Sequence, residues 1–233
     1  MVYVQEILDR MRTCVIIPTF NESKVIGNLI MGIRQQNLDV VIVDDGSVDN
    51  TAQISRDNGA VVLKNPRNEG KGASLIKGFD YALRNDFYAV ITMDGDGQHA
   101  PEDIPYFMRL AKYSNSGIFI GNRMLKTKNM PRTRVLTNKF MSWIVSRIAK
   151  QKIPDTQCGF RLIKSEVLKK INLETSKYEI ESEILIKASR LGFKIESVPI
   201  KTVYGEERSR INPVLDTLRF IRYIIKELWT TKP

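Results

Sequence analysis

Short, uninterrupted apolar runs alternate with segments of helical spacing through the first half of the chain. Cys14-Val-Ile-Ile17 is a strand-type run stopped by Pro18, and Glu22 to Gln35 then carries Val25, Ile26, Leu29, Ile30 and Ile33 at the spacing of a buried helical stripe. Val40-Val-Ile-Val43 predicts a second strand, followed by a helix to about Asn58. Val61 to Leu63 predicts a third strand, Gly72 to Arg84 a third helix, and Tyr88 to Met93 a further strand. Strands that are apolar throughout, rather than at alternate positions, are covered on both faces. The expected fold class is therefore α/β, a parallel sheet between layers of helices.

The second half is less regular. Ile118 to Gly121 reads as a strand, and the basic stretch Arg123 to Arg134 has few core-forming residues and predicts a mobile surface loop. Helical patterns cover Val135 to Ala149, Ser165 to Lys170 and Tyr178 to Leu191, the last with Glu179, Glu181 and Glu183 crowded into its first turns. Ile195 to Val203 is strand-like despite Pro199, which argues for an edge position. Pro213 to Trp229 predicts a closing helix with proline in its first turn, so that 213–233 forms a basic amphipathic C-terminal segment. With no internal repeat and no low-complexity linker, residues 1–233 are expected to form one domain.

Composition narrows the partners. The 233 residues are 42% hydrophobic, enough for a sizeable core, and the net charge of +10 favours phosphates, nucleic acid or an anionic membrane without choosing among them. No base-reading module appears, so nucleic acid is not expected. Met1 to Met11 carries Glu6, Asp9 and Arg10 and has no apolar core of a leader. No stretch approaches the roughly 20 apolar residues of a membrane span. A cytoplasmic protein is expected, with any membrane contact peripheral. Cys14 and Cys158, the only cysteines, are expected to be free thiols at least half buried.

The chemistry concentrates where predicted strands end. Asp44-Asp45-Gly46-Ser47 follows the second strand, and Met93-Asp94-Gly95-Asp96-Gly97-Gln98-His99 follows the fourth. Ligands of open α/β sheets bind at the carboxyl ends of strands. Two carboxylates one residue apart can face one way, while Gly95 and Gly97 permit a tight turn. Hard oxygen donors of this kind suit Mg2+ or Mn2+, so Asp94 and Asp96 are the metal candidates, with Gln98 placed to assist. Lys71, between Gly70 and Gly72, can neutralise phosphate charge or be a solvated loop lysine. His99, the only histidine, is expected to be structural.

Five motifs then stand in order: Val15-Ile-Ile-Pro-Thr-Phe-Asn-Glu22, Val43-Asp-Asp-Gly-Ser47 with Asp49 and Thr51, Asn68-Glu-Gly-Lys-Gly72, Met93 to His99, and Asp155-Thr-Gln-Cys-Gly-Phe-Arg161. Over residues 12 to 212 the chain resembles family 2 glycosyltransferases, in particular the polyprenyl-phosphate branch of dolichyl-phosphate mannose and glucose synthases. The resemblance implies a GT-A fold, Rossmann-like, with a mixed, mostly parallel sheet flanked by helices on both faces. It also implies a nucleotide-sugar donor (GDP-mannose or UDP-glucose), a divalent metal, and inverting transfer of a hexose to a polyprenyl phosphate at the cytoplasmic membrane face. By the family's pattern Pro18, Asn21 and Glu22 border the nucleotide, Asp44 or Asp45 accepts hydrogen bonds from base or ribose, and Asp155 and Gln157 lie near the sugar. A homo-oligomer or a membrane-protein partner is left open.

A lipid phosphate is already an anion, so its transferase needs positioning and cations more than a general base. Arg123, Arg161 and the Arg208-Ser209-Arg210 loop are the arginine candidates, because guanidinium matches phosphate oxygens. The chain departs from its relatives at Ser209-Arg-Ile211, where Ser-Lys-Ile is frequent, and at Lys201-Thr-Val203, where the family's upstream arginine has no match. Two alternatives stand beside this reading. One is transfer to a glycan or other hydroxyl, with Asp155 or Glu183 as base; the other is a non-catalytic subunit that binds a nucleotide-sugar or lipid phosphate. For Asp155 the structural alternative is a loop salt bridge or helix cap.

Overall fold

A computed structural model describes residues 12–125, 127, 130–201 and 213–230. Seven strands form one sheet in the order β3-β2-β1-β4-β6-β5-β7. They are β1 (Thr13–Thr19), β2 (Asp39–Asp44), β3 (Val61–Lys64), β4 (Ala89–Thr92), β5 (Ile118–Asn122), β6 (Arg161–Lys164) and β7 (Ile195–Pro199). β1 to β4 are mutually parallel, β7 is parallel to β5, and β6 runs antiparallel between β4 and β5. The expected mixed, mostly parallel sheet is thus the observed one.

The register explains where a site can form. Thr19 is level with Asp44, while the shorter β4 stops at Thr92, level with Ile16. The chain beyond Thr92 therefore runs alongside the last residues of β1, and both acidic clusters open onto one edge of the sheet. On the outward side of this edge, β6 returns antiparallel with Arg161 level with Thr92.

Helices follow the apolar stripes. α1 (Ile26–Arg34) buries Ile26, Leu29, Ile30 and Ile33, α2 is Thr51–Asp57, and α3 (Lys71–Arg84) buries Leu75, Phe79 and Ala82. A short 3-10 turn, Pro101–Asp103, leads into α4 (Ile104–Tyr113), an element the sequence reading passes over. Its signal was present, since Ile104, Phe107 and Ala111 have helical spacing and are all buried. α5 (Arg132–Ala149) starts three residues earlier than its apolar pattern and takes in the end of the basic stretch, of whose described residues Arg123 and Met130 are buried while Leu125 and Pro131 are exposed. α6 (Ser165–Leu168) and α7 (Ile180–Arg190) precede β7, which lies at the sheet edge as Pro199 indicated. Cys14 and Cys158 are free and buried, and burial pushes both thiols up to about 12.

α8 (Pro213–Thr230) divides its apolar residues between two faces. Phe220, Tyr223 and Ile224 pack into the core, and Glu227 pairs with Arg190 at the end of α7. Leu218, Ile221, Ile225, Leu228 and Trp229 remain exposed. Among the described residues no helix is long and apolar enough to cross a membrane.

Gly78 is where α3 comes closest to the sheet: a Cβ there would stand 2.5 Å from Ile16 Cγ2. Gly78→Ala is expected to lower unfolding stability by about 1–3 kcal/mol despite its better helix propensity, because overpacking outweighs the backbone gain. Chemical denaturation of the two proteins measures this, and an alanine variant as stable as the parent would refute it.

Candidate functional site

The loops after β1 and β2 are laced together through backbone donors. Asn21 sits at φ 55°, its N–H donating to Ser47 Oγ at 2.9 Å while its Oδ1 accepts from Val48 N–H at 2.9 Å. The Glu22 N–H donates to Thr51 Oγ1 at 2.8 Å and the Ser23 N–H to Asp49 Oδ2 at 3.2 Å. Partial burial would raise the Asp49 carboxyl, but hydrogen bonds from Thr51 and Ser23 prevail and hold it down to about 2.

Asp44 and Asp45 have different duties. Asp45 accepts from Asn65 Nδ2 (2.8 Å) and Glu69 N–H (2.9 Å) at Oδ1, and from Gly70 N–H (2.8 Å) at Oδ2. Both oxygens thus help to shape the loop that delivers Lys71. Asp44 is fully buried, and its Oδ1 accepts from the Ser47 N–H at 3.0 Å. Its Oδ2 is buried without a hydrogen-bond partner, an acceptor kept out of water at a cost unless a ligand donor meets it. Of the two aspartates, Asp44 has the spare acceptor.

Beyond β4, Asp94 and Asp96 lie beside the end of β1. A Cβ on Gly95 would stand 3.0 Å from Thr19 Cγ2, 3.3 Å from Pro18 O and 3.4 Å from Glu22 Cγ, which brings Pro18 and Glu22 against the acidic turn. Asp96 Oδ1 accepts from Gln98 N–H at 3.0 Å. Asp94 pairs with the Lys71 ammonium, which also pairs with Glu181. Burial would lower the Lys71 pKa, yet the two carboxylates carry it well above the ordinary lysine value; Asp94, for the same reason, is held well below the usual carboxylate range. Lys71 is therefore not a solvated loop lysine.

Gly159 leaves room for Asp94: a Cβ there would fall 2.6 Å from both carboxylate oxygens. Thr92 Oγ1 donates to Gly159 O at 2.7 Å and fixes this approach. His99 is buried against Phe160, ring centroids 5.3 Å apart, and its Nδ1 accepts from the Asp94 N–H at 3.2 Å. It orients the acidic turn, which matches its expected structural role.

The remaining candidates are more deeply built in than their sequence context indicated. Arg123 and Asp155 form a buried bidentate pair, Nε to Oδ2 at 2.8 Å and Nη2 to Oδ1 at 2.9 Å, and the Arg123 N–H also donates to Oδ2. Gln157 donates its N–H to Asp155 Oδ1 at 3.3 Å and its Nε2 to Thr156 Oγ1 at 3.2 Å. With both oxygens engaged, Asp155 is a loop salt bridge and not a free base, and Arg123 is not an open phosphate clamp. Arg161 is 1% exposed and donates to the carbonyls of Cys158, Glu181 and Thr156 at 2.7, 2.6 and 2.9 Å; it braces the motif from behind. Glu183 accepts from the backbone of Glu174 and Thr175 and pairs with Lys187, so it is committed as well. Arg208, Ser209 and Arg210 lie outside the described residues.

Two site residues were missed. Glu181 was noticed only as one of three crowded glutamates, and nothing local distinguishes it from Glu183. Gly159 adjoins Cys158, and its closeness to Asp94 arises across the β4–β6 pairing.

Among the described residues no three or more His, Cys, Asp or Glu side chains converge as a metal cage. Asp94 and Asp96 offer hard carboxylate oxygens on a turn kept open by Gly159, a donor set that suits a magnesium-type ion completed by substrate phosphate and water.

The mixed, mostly parallel sheet, with carboxylates where parallel strands give way to an antiparallel one, has the GT-A architecture. The glycosyl transferase family 2 model matches residues 14–172, and the chain belongs to that family. It is 33% identical to the UDP-N-acetylglucosamine–dolichyl-phosphate N-acetylglucosaminyltransferase of Methanococcus voltae, over 82% of this chain and 85% of that one. It is 29% identical to the polyprenol monophosphomannose synthase of Mycolicibacterium smegmatis, over 81% and 76% of the two chains. The fold is shared with glucosyl-3-phosphoglycerate synthase from Mycobacterium tuberculosis, crystallised with Mn2+, UDP and glucosyl-3-phosphoglycerate. That likeness has a TM-score of 0.72 at 20% identity, over 94% of this chain and 79% of that one.

Burial is the main cause that depresses His99, from its ordinary 6.5 to about 4, against the opposing charge of Asp94. The unfolded chain takes up this proton near pH 6.5 and the folded one only near pH 4, so the His99 contribution to stability is expected to be lost as pH falls between those values. NMR of the single histidine ring checks it; a titration midpoint above pH 6 would show that the ring is not held neutral.

Proposed function

We propose that this glycosyltransferase moves a hexose from a nucleoside-diphosphate sugar to a polyprenyl phosphate with inversion. The observation that carries the acceptor class is the commitment of Asp155 and Glu183, the two nominated bases, to buried ion pairs and backbone donors. A hydroxyl acceptor needs such a base, whereas a phosphate monoester attacks as an anion. The Methanococcus voltae and Mycolicibacterium smegmatis relatives, whose names specify polyprenyl-type lipid acceptors, support the same class.

In this reading Asp44 Oδ2 accepts a donor N–H or O–H of the nucleotide, and Pro18, Asn21 and Glu22 wall its binding cleft. Asp94 and Asp96 would hold Mg2+ or Mn2+, which when bound neutralises charge on the leaving diphosphate. An acceptor phosphate oxygen bonds to the anomeric carbon as the bond to the diphosphate breaks, and the nucleoside diphosphate departs. His99 and Gly159 keep Asp94 in place, and Arg161 holds the 156–158 backbone that faces it. Gln98 and Gln157 remain assigned beside metal and sugar.

One observation favours a hydroxyl acceptor instead: Glu179 Oε2, next to Tyr178, is buried without a hydrogen-bond partner. If it serves as base, Glu179→Gln will abolish transfer only to hydroxyl acceptors.

The direct test supplies purified protein with radiolabelled GDP-mannose, UDP-glucose or UDP-N-acetylglucosamine, a short polyprenyl phosphate in detergent, and Mg2+ or EDTA. Label is expected in the lipid phase with one donor, abolished by EDTA and reduced at least about 100-fold by Asp96→Asn. Asp96→Asn at full activity would remove the metal assignment, and donor binding without lipid product would move the acceptor to a hydroxyl.

Membrane contact rests on exposed apolar faces. Leu136, Phe140 and Trp143 stand out from α5, and Leu218, Ile221, Ile225, Leu228 and Trp229 from α8, where Arg219, Arg222 and Lys226 are also exposed. Apolar anchors bordered by cations suit an anionic lipid surface. The paired change Phe140→Ser with Trp143→Ser is expected to weaken binding to anionic vesicles roughly tenfold or more, from the apolar area withheld. Unchanged sedimentation with vesicles would place that face away from lipid.

A further inference from the structure

The Lys71 ammonium pairs with Oδ1 of Asp94, one of the two carboxylate oxygens that an incoming cation would meet. It joins two carboxylates in a largely dry setting, the three side chains being 14% (Lys71), 28% (Asp94) and 7% (Glu181) exposed. Arg161 Nη2 stands 3.5 Å from the other oxygen of Glu181, so two cations and two anions balance without an external ion. A divalent cation approaching Asp94 meets this ammonium as a like charge in a medium where screening is weak.

The Lys71 backbone cannot retreat. A Cβ at Gly70 would meet Ser176 O at 2.5 Å, one at Gly72 would meet Ser176 C at 2.6 Å, and the Ala73 N–H donates to Ser176 O at 3.1 Å. Glu183 pins the Glu174–Thr175 backbone that carries this segment. Only the flexible lysine side chain can move, and Glu181 is already within its reach. Glu181 lies deeper than Asp94, and its other oxygen faces Arg161.

We propose that Lys71 is a positioning residue that serves as the built-in counter-ion of the Asp94–Asp96 turn: it holds Asp94 while no donor is bound and withdraws onto Glu181 as the divalent ion arrives with its diphosphate. The ion then enters with the donor and not ahead of it, because only the donor's negative charge compensates the gathering of two cations. Glu181 is the resting place that makes the exchange possible. The proposal rests on the metal reading of Asp94 and Asp96.

The test is Mn2+ binding to the whole protein followed by the electron paramagnetic resonance signal of free Mn2+, with and without UDP or GDP. Without nucleotide, Lys71→Met is expected to raise Mn2+ affinity roughly tenfold or more, since a buried competing charge is removed. Glu181→Gln is expected to lower it several-fold, leaving Lys71 with Asp94 as its only anion. General damage would move both variants the same way, so opposite signs support the exchange. A folded Lys71→Met protein with unchanged or weaker Mn2+ affinity overturns it. Should Lys71→Met not fold, the double variant Lys71→Met with Glu181→Gln removes the stranded charge and is held to the same increase. Mn2+ bound with nucleotide but indifferent to Lys71 overturns this proposal alone. No Mn2+ binding by the parent with either nucleotide overturns the metal reading together with it.

Discussion

The buried bridge from Lys71 to Asp94 and Glu181 is the interaction on which the arrangement of the site depends. Lys71 opens α3 beside the parallel half of the sheet, Asp94 lies two residues beyond β4, the last strand of that half, and Glu181 belongs to α7, packed against α5 and α3. Charges taken out of water must be matched, so once one of the three is placed the others are nearly fixed. Removing Asp94 or Glu181 would leave Lys71 with a single anion, and removing Lys71 would leave Asp94 without its ammonium, so the bridge ties the two halves together at this point.

Around the bridge, carboxylates divide into those spent on building and those left for chemistry. Asp45 shapes the Lys71 loop, Asp49 ties the β1 and β2 loops together, Asp155 neutralises Arg123, and Glu183 secures the segment that closes over Gly70 and Gly72. Asp44 Oδ2 is the contrasting case, buried with nothing to accept. Oxygens already engaged by backbone donors and ion-pair partners are turned away from an incoming acceptor. This division favours an acceptor that brings its own negative charge.

The same economy explains the polar core beneath the motif from Asp155 to Arg161. Arg161 donates to three carbonyls: those of Thr156 and Cys158 belong to irregular backbone without a sheet partner, and that of Glu181 to the first turn of α7. A guanidinium here acts as a scaffold because its donors diverge in a plane and reach several acceptors at once. Its charge is answered by Glu181, which joins the brace to the Lys71 bridge.

The sequence by itself determined the α/β alternation, the parallel character of the sheet and the acidic turns at strand ends, because continuous apolar runs and Asp-Gly turns are local properties. It also marked Pro199 as an edge residue and His99 as structural. It missed α4, whose short stripe adjoins Pro101, and it did not show that Arg123, at the start of the basic stretch, is buried. Charge alone does not reveal a partner, and Asp155 lies 32 residues from Arg123. The tertiary structure alone decided that Asp44 keeps a spare acceptor oxygen, which arginines are braces, that Glu181 answers Lys71 across 110 residues, and that Gly159 must be small beside Asp94. Those outcomes depend on which buried donors and acceptors meet when distant segments pack, a competition for partners that local spacing does not encode.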